Sequence, residues 1–366
     1  RPTETGCKAP RSKDKDLNGT MKAAVLYGKE DVKIEKVPIP RVAEGEVLIK
    51  VQVALTCGTD LKVFQRGYHA RMIQPPALFG HELAGTIEEV GAGVRDFRPG
   101  MRVVALNSAP CGVCFFCLKK QPNLCEDLLF NNGAYAEYIK VPRRIVEVNM
   151  LRIPENVSFE AAAMCEPLAC VLHGLNETHP EPGESVVVIG AGPIGLMFMQ
   201  VAKLTGTRVI AVVKRDEQVK DAQRFGADEV VQITAVDDPI EAVRALTPKR
   251  RGADVVIEAV GRPQAWQWAV DMVRKGGTVN FFGGCASGTK VELDTQRLHY
   301  SQITLKATFH HTPEMVRRAF GLITQNKIQS SDYVTGEAPL SNLKEVLQKM
   351  LDRSGEIKTA IIPGRH

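Results

Sequence analysis

Four cysteines lie close together in the stretch CGVCFFCLKKQPNLC, residues 111–125. Their spacing, C-x2-C-x2-C-x7-C, differs from the ferredoxin run, in which the fourth cysteine follows after three residues and precedes a proline. The chain has nine cysteines, and this odd number is awkward for a secreted disulfide framework but suits a reducing compartment with free thiols. Four thiolates complete a tetrahedral zinc site and leave no position for water or substrate. We therefore predict a structural zinc site, with accidental clustering as the alternative; its ligands are Cys111, Cys114, Cys117 and Cys125.

A second set of candidate ligands lies in ALTCGTDLKVF (54–64) and LFGHELAGTIEEVG (78–91). Cys57, His81 and Glu82 have the chemistry of an open zinc site, which leaves a position for water or an alcohol oxygen. Taken singly, a buried cysteine is more often a core residue, and a surface His-Glu pair more often has no role.

A carboxylate interrupts the apolar run AAMCEPLACVLHGL, residues 162–175. This residue, Glu166, stands directly before a proline. A buried carboxylate is costly unless it is paired or linked to a metal, so a functional role is favoured over a structural one.

A glycine-rich turn lies in ESVVVIGAGPIGLMFMQVAKLTG, residues 184–206. The pattern predicts a buried strand, a turn and an amphipathic helix. Gly190, Gly192 and Gly195 form G-x-G-x-x-G in that context, so that the backbone can approach a pyrophosphate and the helix can pack on the strand. Pro193 and Ile194 open the helix, whose free N–H groups favour the diphosphate. The alternative is a glycine turn in a fold that binds nothing.

Strands and helices are expected to alternate after this turn. The expected strands are 208–213, 229–233, 254–261, 278–284 and 302–309, and the expected helices are 216–226, 238–246 and 263–277. Together with the strand before the glycines, these make six strands with helical crossovers, a doubly wound dinucleotide-binding fold.

Composition limits the function classes. A chain of 366 residues should hold about two domains. It has no apolar run of about 20 residues and no apolar N-terminal segment, so we expect no membrane partner and a cytoplasmic protein. Residues 1–20 are polar and contribute +2 to the net charge of +5, and we expect a disordered tail or a cloning remnant before Met21. Basic and acidic residues are interleaved, so nucleic acid is not an expected partner.

Four features follow one another along the chain: a cysteine followed by GHE, the four-cysteine lobe, the EP element and GAGPIG. In this order they resemble the zinc-dependent medium-chain dehydrogenase/reductase (alcohol dehydrogenase) family, and the resemblance runs from about Met21 to the end. The sorbitol and threonine dehydrogenase branch is most similar, because glutamate replaces cysteine at the third ligand position. The resemblance implies an α/β protein, with a GroES-like, mainly β catalytic domain and an inserted doubly wound Rossmann domain. The implied ranges are 21–170 for the catalytic domain, 171–306 for the Rossmann domain and 307–366 for the return to the catalytic domain.

The resemblance also implies roles for individual residues. Cys57, His81 and Glu82 would hold a catalytic zinc, and Glu166 would bind the zinc or its water in some states. Thr59 would pass the alcohol proton onward. The zinc would act as a Lewis acid on the alcohol, from which hydride leaves for the nicotinamide ring.

Two positions depart from the branch. Lys62 stands where a histidine usually ends the proton relay; it would serve only with a strongly lowered pKa, and a solvated lysine is the alternative. His310 stands where the sorbitol branch has an arginine at the substrate cleft. Either His310 or His311 is expected to contact substrate, unless the two form an ordinary surface pair.

Cofactor preference depends on the end of the second Rossmann strand, where an acidic residue normally binds the adenosine ribose of NAD. As the family is aligned, Val213 occupies that place, and Lys214 and Arg215 follow it. We expect NADP to be preferred to NAD, because the two cations can contact a 2′-phosphate. In the alternative, both cations point to water, or Asp216 or Glu217 reaches back to the ribose.

The resulting prediction is a zinc-dependent, NAD(P)-dependent alcohol dehydrogenase. It would transfer hydride between NAD(P) and a secondary alcohol, namely a polyol, a sugar alcohol or a hydroxy amino acid. A carbonyl reductase working in the reverse direction and an inactive zinc-stabilised NAD(P)-binding protein are the alternatives. A homo-oligomer, dimeric or tetrameric, is expected.

Overall fold

The computed structural model describes residues 19–69, 71–353 and 356–365. Of the predicted tail 1–20, residues 1–18 lie outside these ranges, and Thr20 opens the first strand.

The strands are β1 Thr20–Gly28, β2 Asp31–Pro38, β3 Val47–Leu55, β4 Ala77–Leu78, β5 Glu82–Val90, β6 Arg102–Ala105, β7 Ser108–Ala109, β8 Leu129–Phe130, β9 Tyr138–Val141, β10 Met150–Arg152, β11 Ser185–Ile189, β12 Arg208–Val213, β13 Glu229–Gln232, β14 Ala253–Glu258, β15 Val273–Phe281, β16 Thr304–Ala307, β17 Val334–Pro339 and β18 Lys358–Ile362. The α-helices are α1 Gly58–Arg66, α2 Phe115–Leu118, α3 Arg143–Asn149, α4 Phe159–Ala163, α5 Cys165–Asn176, α6 Pro193–Leu204, α7 Asp216–Arg224, α8 Pro239–Ala245, α9 Pro263–Met272, α10 Thr295–Tyr300, α11 Pro313–Thr324, α12 Ser330–Tyr333 and α13 Leu343–Asp352. No helix among the described residues has the length and apolar character needed to cross a bilayer.

A mainly antiparallel sheet joins the N-terminal part of the chain to its C-terminal segment. Its strand order is β10-β6-β5-β3-β18-β17, with β9 also paired to β3. Strand β18 lies antiparallel to β3, with Ala360 opposite Leu55, and β17 runs parallel to β18. The last strands therefore complete a sheet that the first third of the chain begins.

The middle of the chain forms a parallel sheet with the order β13-β12-β11-β14-β15-β16. Successive side chains of β11 enter different cores: Val186 and Val188 pack on one face, and Val187 and Ile189 on the other. Both faces are covered, as expected of a parallel sheet. The order confirms the doubly wound prediction and places the ligand crevice beside the ends of β11 and β14, where the strand order reverses.

The predicted helix over 263–277 is too long, and two predicted domain boundaries cut across elements. The helix expected over 263–277 ends at Met272, and residues 273–277 open β15; this stretch contains two consecutive glycines, which are poor helix formers. Helix α5 crosses the boundary predicted at 170/171, and β16 crosses the one at 306/307. The domain boundaries therefore stay predictions.

Candidate active site and metal centres

The four-cysteine lobe brings the sulfurs of its cysteines within 4.8 Å of one another. In a tetrahedral site with Zn–S distances of about 2.3 Å, neighbouring sulfurs are separated by about 3.8 Å, and the Cys114 and Cys125 sulfurs are 3.8 Å apart. Backbone N–H groups lower the pKa of Cys111, and that of Cys114 to about 6, whereas burial raises the pKa of Cys117 and of Cys125. The donor set therefore fits a closed zinc site.

Sheet register explains how Cys57, His81 and Glu82 meet. Strands β3 and β5 are antiparallel, with Leu55 opposite Glu82. Cys57 follows β3 by two residues and His81 immediately precedes β5, so both lie at the same end of the strand pair. One ligand atom from each of the three side chains lies within 4.8 Å of the others. Glu82 is fully buried, and its Oε2 lies 2.8 Å from the ammonium of Lys358.

A buried carboxylate that sequence reasoning missed orients His81. Asp60 Oδ1 lies 2.9 Å from His81 Nδ1, and Asp60 Oδ2 accepts a hydrogen bond of 2.6 Å from the Tyr135 hydroxyl. With its proton on Nδ1, His81 keeps the Nε2 lone pair for a metal, an arrangement usual behind metal-binding histidines. The only sequence signal was the proximity of Asp60 to Cys57 in CGTD.

A buried lysine also contacts the candidate ligands. Lys358, from β18, donates to Glu82 Oε1 at 3.0 Å and to the Thr56 carbonyl at 2.7 Å. Burial raises the pKa of Glu82, and the charge of Lys358 opposes this rise. No motif indicated Lys358, because it lies 276 residues from Glu82 in sequence and only the folded sheet brings them together.

Glu166 lies beside the two histidines of the C-terminal segment. One ligand atom from each of Glu166, His310 and His311 lies within 4.8 Å of the others. Burial raises the pKa of Glu166 to about 7; His81 opposes this shift and Glu82 adds to it, so Glu166 faces the first cluster as well. His311 is buried and His310 is half-buried, which excludes an ordinary surface pair.

Thr59 and Lys62 both lie on α1. The Thr59 N–H donates to the Cys57 sulfur at 3.4 Å, so Thr59 is adjacent to the proposed ligands. Lys62 Nζ points away to the other domain and donates to the Gly284 carbonyl at 3.3 Å. Helix α1 therefore contacts the candidate metal centre through Thr59 and the domain of the parallel sheet through Lys62.

Glu258 ends β14 at the ligand crevice and was not singled out from the sequence. Its Oε1 accepts hydrogen bonds of 2.8 Å from the N–H groups of Val260 and Gly261, while its Oε2 is buried and has no hydrogen-bond partner among the described residues. Burial raises the pKa of Glu258 to about 7, although these N–H groups and nearby Lys62 oppose the rise. A charged residue at the end of an apolar strand was the available signal.

The glycine turn links β11 to α6. Gly190 has φ 104°, in the left-handed region, and a Cβ at Gly195 would lie 1.9 Å from the Gly190 carbonyl oxygen. Gly192 is followed by Pro193 and Ile194 at the start of α6, and within the described part of the chain no side chain caps this helix. A Cβ at Gly192 would meet no atom within 4 Å, so the uncapped N–H groups border open space that can take a diphosphate.

The residues after β12 form the start of α7. Val213 is buried and ends the strand, Lys214 is exposed, and Arg215 is half-buried at the helix N-cap. The Gln218 side chain accepts hydrogen bonds of 3.2 and 3.1 Å from the Lys214 and Arg215 N–H groups. Both cationic side chains thus begin at the end of the strand that the dinucleotide ribose normally contacts.

Both neighbouring acids have other partners. Asp216 Oδ1 accepts a hydrogen bond of 2.6 Å from the Gln232 amide. Glu217 Oε1 lies 2.7 Å from Arg215 Nε. Neither contact directs a carboxylate back towards Val213.

Two family models match the chain: the alcohol dehydrogenase GroES-like domain over residues 43–154, and the zinc-binding dehydrogenase over residues 193–325. The chain is 30% identical to sorbitol dehydrogenase of Bacillus subtilis over 353 residues, which are 94% of this chain and 98% of the relative. It is 32% identical to L-threonine 3-dehydrogenase of Bacillus licheniformis over 356 residues, 95% of this chain and 100% of the relative.

A solved structure extends the comparison to three dimensions. It is a protein of the zinc-binding dehydrogenase type from Sinorhizobium meliloti 1021, bound to NADP. The TM-score is 0.84 at 30% identity, with 94% of this chain and 100% of that chain covered. These matches confirm the predicted fold, a GroES-like domain with an inserted doubly wound domain.

Proposed function

The chain belongs to the zinc-dependent medium-chain dehydrogenase family, in the branch of the sorbitol and threonine dehydrogenases, and we propose that it transfers hydride between a polyol-class secondary alcohol and NADP. The family makes it an oxidoreductase that uses Zn²⁺ and NAD(P) and acts on a small-molecule alcohol. The observation that carries the proposal is the convergence of Cys57, His81 and Glu82 within 4.8 Å, on the domain that faces the glycine turn.

These three residues would hold the catalytic zinc, and Glu166 would be its further partner. Bound zinc supplies a Lewis acid that favours loss of the alcohol proton. Asp60 keeps the proton of His81 on Nδ1, so that the opposite nitrogen faces the ion. The four-cysteine lobe would hold a separate zinc that stabilises the fold.

Proton transfer is assigned to α1. The hydroxyl of Thr59, two residues after Cys57, would take the substrate proton and pass it outward. Lys62 remains the candidate for the exit of this relay. Its hydrogen bond to the Gly284 carbonyl supports a further role, which is to keep α1 aligned with the domain that binds the dinucleotide.

The dinucleotide would lie across the glycine turn. Gly190, Gly192 and Gly195 would allow the diphosphate to approach the backbone, and the first turn of α6, opened by Pro193 and Ile194, would bind it through free N–H groups. The end of β14 and helix α1, which Lys62 links to the Gly284 carbonyl, would border the bound cofactor.

NADP preference follows from Val213, Lys214 and Arg215. Val213 offers neither a hydrogen bond to the ribose nor repulsion of a 2′-phosphate, and the two cations offer charge-assisted contacts. The partners found for Asp216 and Glu217 argue against the alternative in which an acid reaches back to the ribose. Among the solved relatives, the Sinorhizobium meliloti protein was solved with NADP, and a second, 25% identical, was solved with NADH.

The substrate class is inferred from relatives named for sorbitol, D-arabinitol and L-threonine. His310 would contact the substrate from the C-terminal side of the cleft, beside Glu166. The comparisons do not favour a carbonyl reductase or an inactive protein. A cytoplasmic location and a homo-oligomeric assembly are further proposals, the latter supported by the prevalence of symmetric oligomers among soluble enzymes.

Steady-state kinetics would test this function. Initial rates with sorbitol, xylitol, 2,3-butanediol and L-threonine are measured with NADP and with NAD, before and after zinc is removed and restored. We expect the highest kcat/KM for a polyol with NADP, and its loss and recovery with zinc. No oxidation of any of these alcohols by the zinc-restored protein, or a kcat/KM several-fold higher with NAD, would contradict the corresponding part of the proposal.

A further inference from the structure

Helix α1 and the loop that follows it carry basic side chains for which the proposed function has no role. Arg66 ends α1, and His69 and Arg71 lie in the loop before β4. Both arginines are exposed, and His69 is half-buried. The stretch 61–81 contains no aspartate or glutamate, and within the described ranges neither arginine forms an ion pair with a carboxylate. The positive charge of this loop, which we call the basic loop, is therefore not matched by the protein.

Backbone contacts orient the ring of His69. Its Nδ1 accepts hydrogen bonds from the N–H groups of Arg71 at 3.2 Å and Met72 at 3.1 Å. A ring nitrogen that accepts carries the lone pair, so the proton of the neutral ring is on Nε2. Burial lowers the pKa of His69, and nearby His81 lowers it further. His69 is therefore a neutral ring with an N–H to donate, close to the histidine of the proposed catalytic centre.

Two consecutive residues tie the basic loop to the start of β5. Asn132 Nδ2 donates to the Met72 carbonyl at 2.8 Å. The Gly133 N–H donates to the Gly80 carbonyl at 2.9 Å, and Gly80 directly precedes His81. The loop is thus held beside the proposed metal ligands.

An aromatic ring from the C-terminal segment holds the guanidinium of Arg71. Arg71 Cζ lies 5.3 Å from the centre of the Phe309 ring, which is a cation–π contact. Phe309 directly precedes His310, and their ring centres are 5.5 Å apart. The contact positions the guanidinium but gives its N–H donors no acceptor. Arg71 therefore lies where the basic loop meets the residue proposed above to contact substrate.

The donors of the basic loop match one chemical class of ligand. The guanidinium of Arg71 and the Nε2–H of His69 donate hydrogen bonds and accept none. Carboxylate and phosphate oxygens only accept, and their charge strengthens a hydrogen bond from arginine. The hydroxyl end of a neutral polyol would leave the charge of Arg71 unmatched.

We propose that the preferred substrate is a polyol that carries a terminal carboxylate or phosphate, and that Arg71 and His69 bind this anion. Arg66 adds positive charge to the same loop. This substrate class rests on the function proposed above: the alcohol carbon gives its hydride to NADP, the hydroxyl gives its proton to the relay, and the anion itself does not react.

Three compounds with the same series of secondary alcohols test the substrate class: D-sorbitol, D-gluconate and D-sorbitol 6-phosphate. Their kcat/KM values are measured with NADP on the zinc-loaded protein. Their dissociation constants are measured by calorimetry with NADPH bound, since the reduced cofactor cannot accept a hydride from an alcohol. We expect one of the anions to exceed sorbitol about tenfold or more in both quantities, as a charge-assisted hydrogen bond would allow. The two anions distinguish a carboxylate site from a phosphate site.

Variants of one arginine test its role. Arg71→Gln should weaken binding of the preferred anion about tenfold and raise its KM accordingly, while the values for sorbitol should stay within about twofold of the wild type. Arg71→Lys keeps the charge but not the planar fork and should keep part of the preference. Arg98→Gln is the matched control, because Arg98 is exposed in the loop that follows β5, at the end of the strand opposite Glu82. It should change neither sorbitol nor anion binding.

Two results would overturn the proposal: sorbitol bound and oxidised by the wild type as well as both anions, or equal losses for sorbitol and the anion in Arg71→Gln. Calorimetry separates the anion site from the dehydrogenase activity. If no alcohol is oxidised but an anion binds more tightly than sorbitol and loses this advantage in Arg71→Gln, the proposed function is wrong and the anion site is supported.

Discussion

Lys358 Nζ lies 2.8 Å from Glu82 Oε2, and the two side chains are 2% and 0% exposed. The pair connects β18, near the end of the chain, to the first residue of β5, which is also a proposed metal ligand. The C-terminal segment thus supplies the counter-charge that allows this carboxylate to be buried. Removing one partner of such a pair is strongly destabilising.

Lys358→Met is expected to lower the free energy of unfolding by about 3–5 kcal/mol, because Glu82 would remain buried without its cation. Denaturant unfolding followed by circular dichroism measures the change. Lys349→Met is the control, since Lys349 forms an exposed ion pair with Glu345 and its loss should cost less than about 1 kcal/mol. Equal stability of the two variants would show that the buried pair contributes nothing.

Asp60→Ala is expected to weaken zinc binding at the Cys57 site about 10- to 100-fold, because His81 loses the partner that orients its ring. Competition with a chelator of known affinity measures this change. Tyr135→Phe preserves the contact between Asp60 and His81 and should have a smaller effect. Wild-type affinity in Asp60→Ala would contradict the role of Asp60.

Arg215→Ala should weaken NADP binding about tenfold or more and leave NAD binding nearly unchanged, since a charge-assisted hydrogen bond contributes roughly 1.5–3 kcal/mol. Glu217→Gln should have the opposite effect, because Glu217 competes with the 2′-phosphate for Arg215. Fluorescence titration with each cofactor tests both expectations. Equal losses for NADP and NAD in Arg215→Ala would refute a phosphate contact.

Glu258 should make stability depend on pH in the protein without cofactor. Its pKa is raised to about 7 from an ordinary value of 4.5. Between these pH values the folded protein holds a proton that the unfolded chain has released, so this contribution to stability is complete below pH 4.5 and is lost as pH rises towards 7. Glu258→Gln should remove that part of the pH dependence. The unfolding midpoint is measured at several pH values in this range for the wild type, for Glu258→Gln and for the control Glu345→Gln, which replaces an exposed glutamate. If the midpoints of the wild type and Glu258→Gln change with pH in the same way, Glu258 is not the group responsible.

Local patterns predicted the elements of the site. The four clustered cysteines lie within one short lobe, and Gly190, Gly192 and Gly195 lie within one turn. A short stretch of sequence is therefore enough to predict each of these two sites. The strand of 208–213 has the predicted bounds for the same reason. The predicted helix of 263–277 includes residues 273–277, which belong to β15.

Contacts between distant segments could not be predicted in this way. Lys358 reaches Glu82, and Asn107 reaches His311, through contacts that exist only after β18 joins β3 and the C-terminal segment packs on the first domain. Asp60 is a different case, since it stands beside Cys57. Its role depends on the direction of one carboxylate in the first turn of α1, which sequence spacing does not specify.

Zinc held by Cys57, His81 and Glu82 is proposed to support NADP-linked alcohol oxidation. Its most direct test is NADPH formation by Cys57→Ser, assayed with the best polyol substrate, alongside zinc content by elemental analysis. We expect Cys57→Ser to lose one zinc equivalent and turnover while it keeps the fold and the four-cysteine zinc, whereas Cys114→Ser should lose the other zinc and stability. Wild-type turnover in a Cys57→Ser protein that lacks this zinc would contradict the proposed role of the Cys57 site.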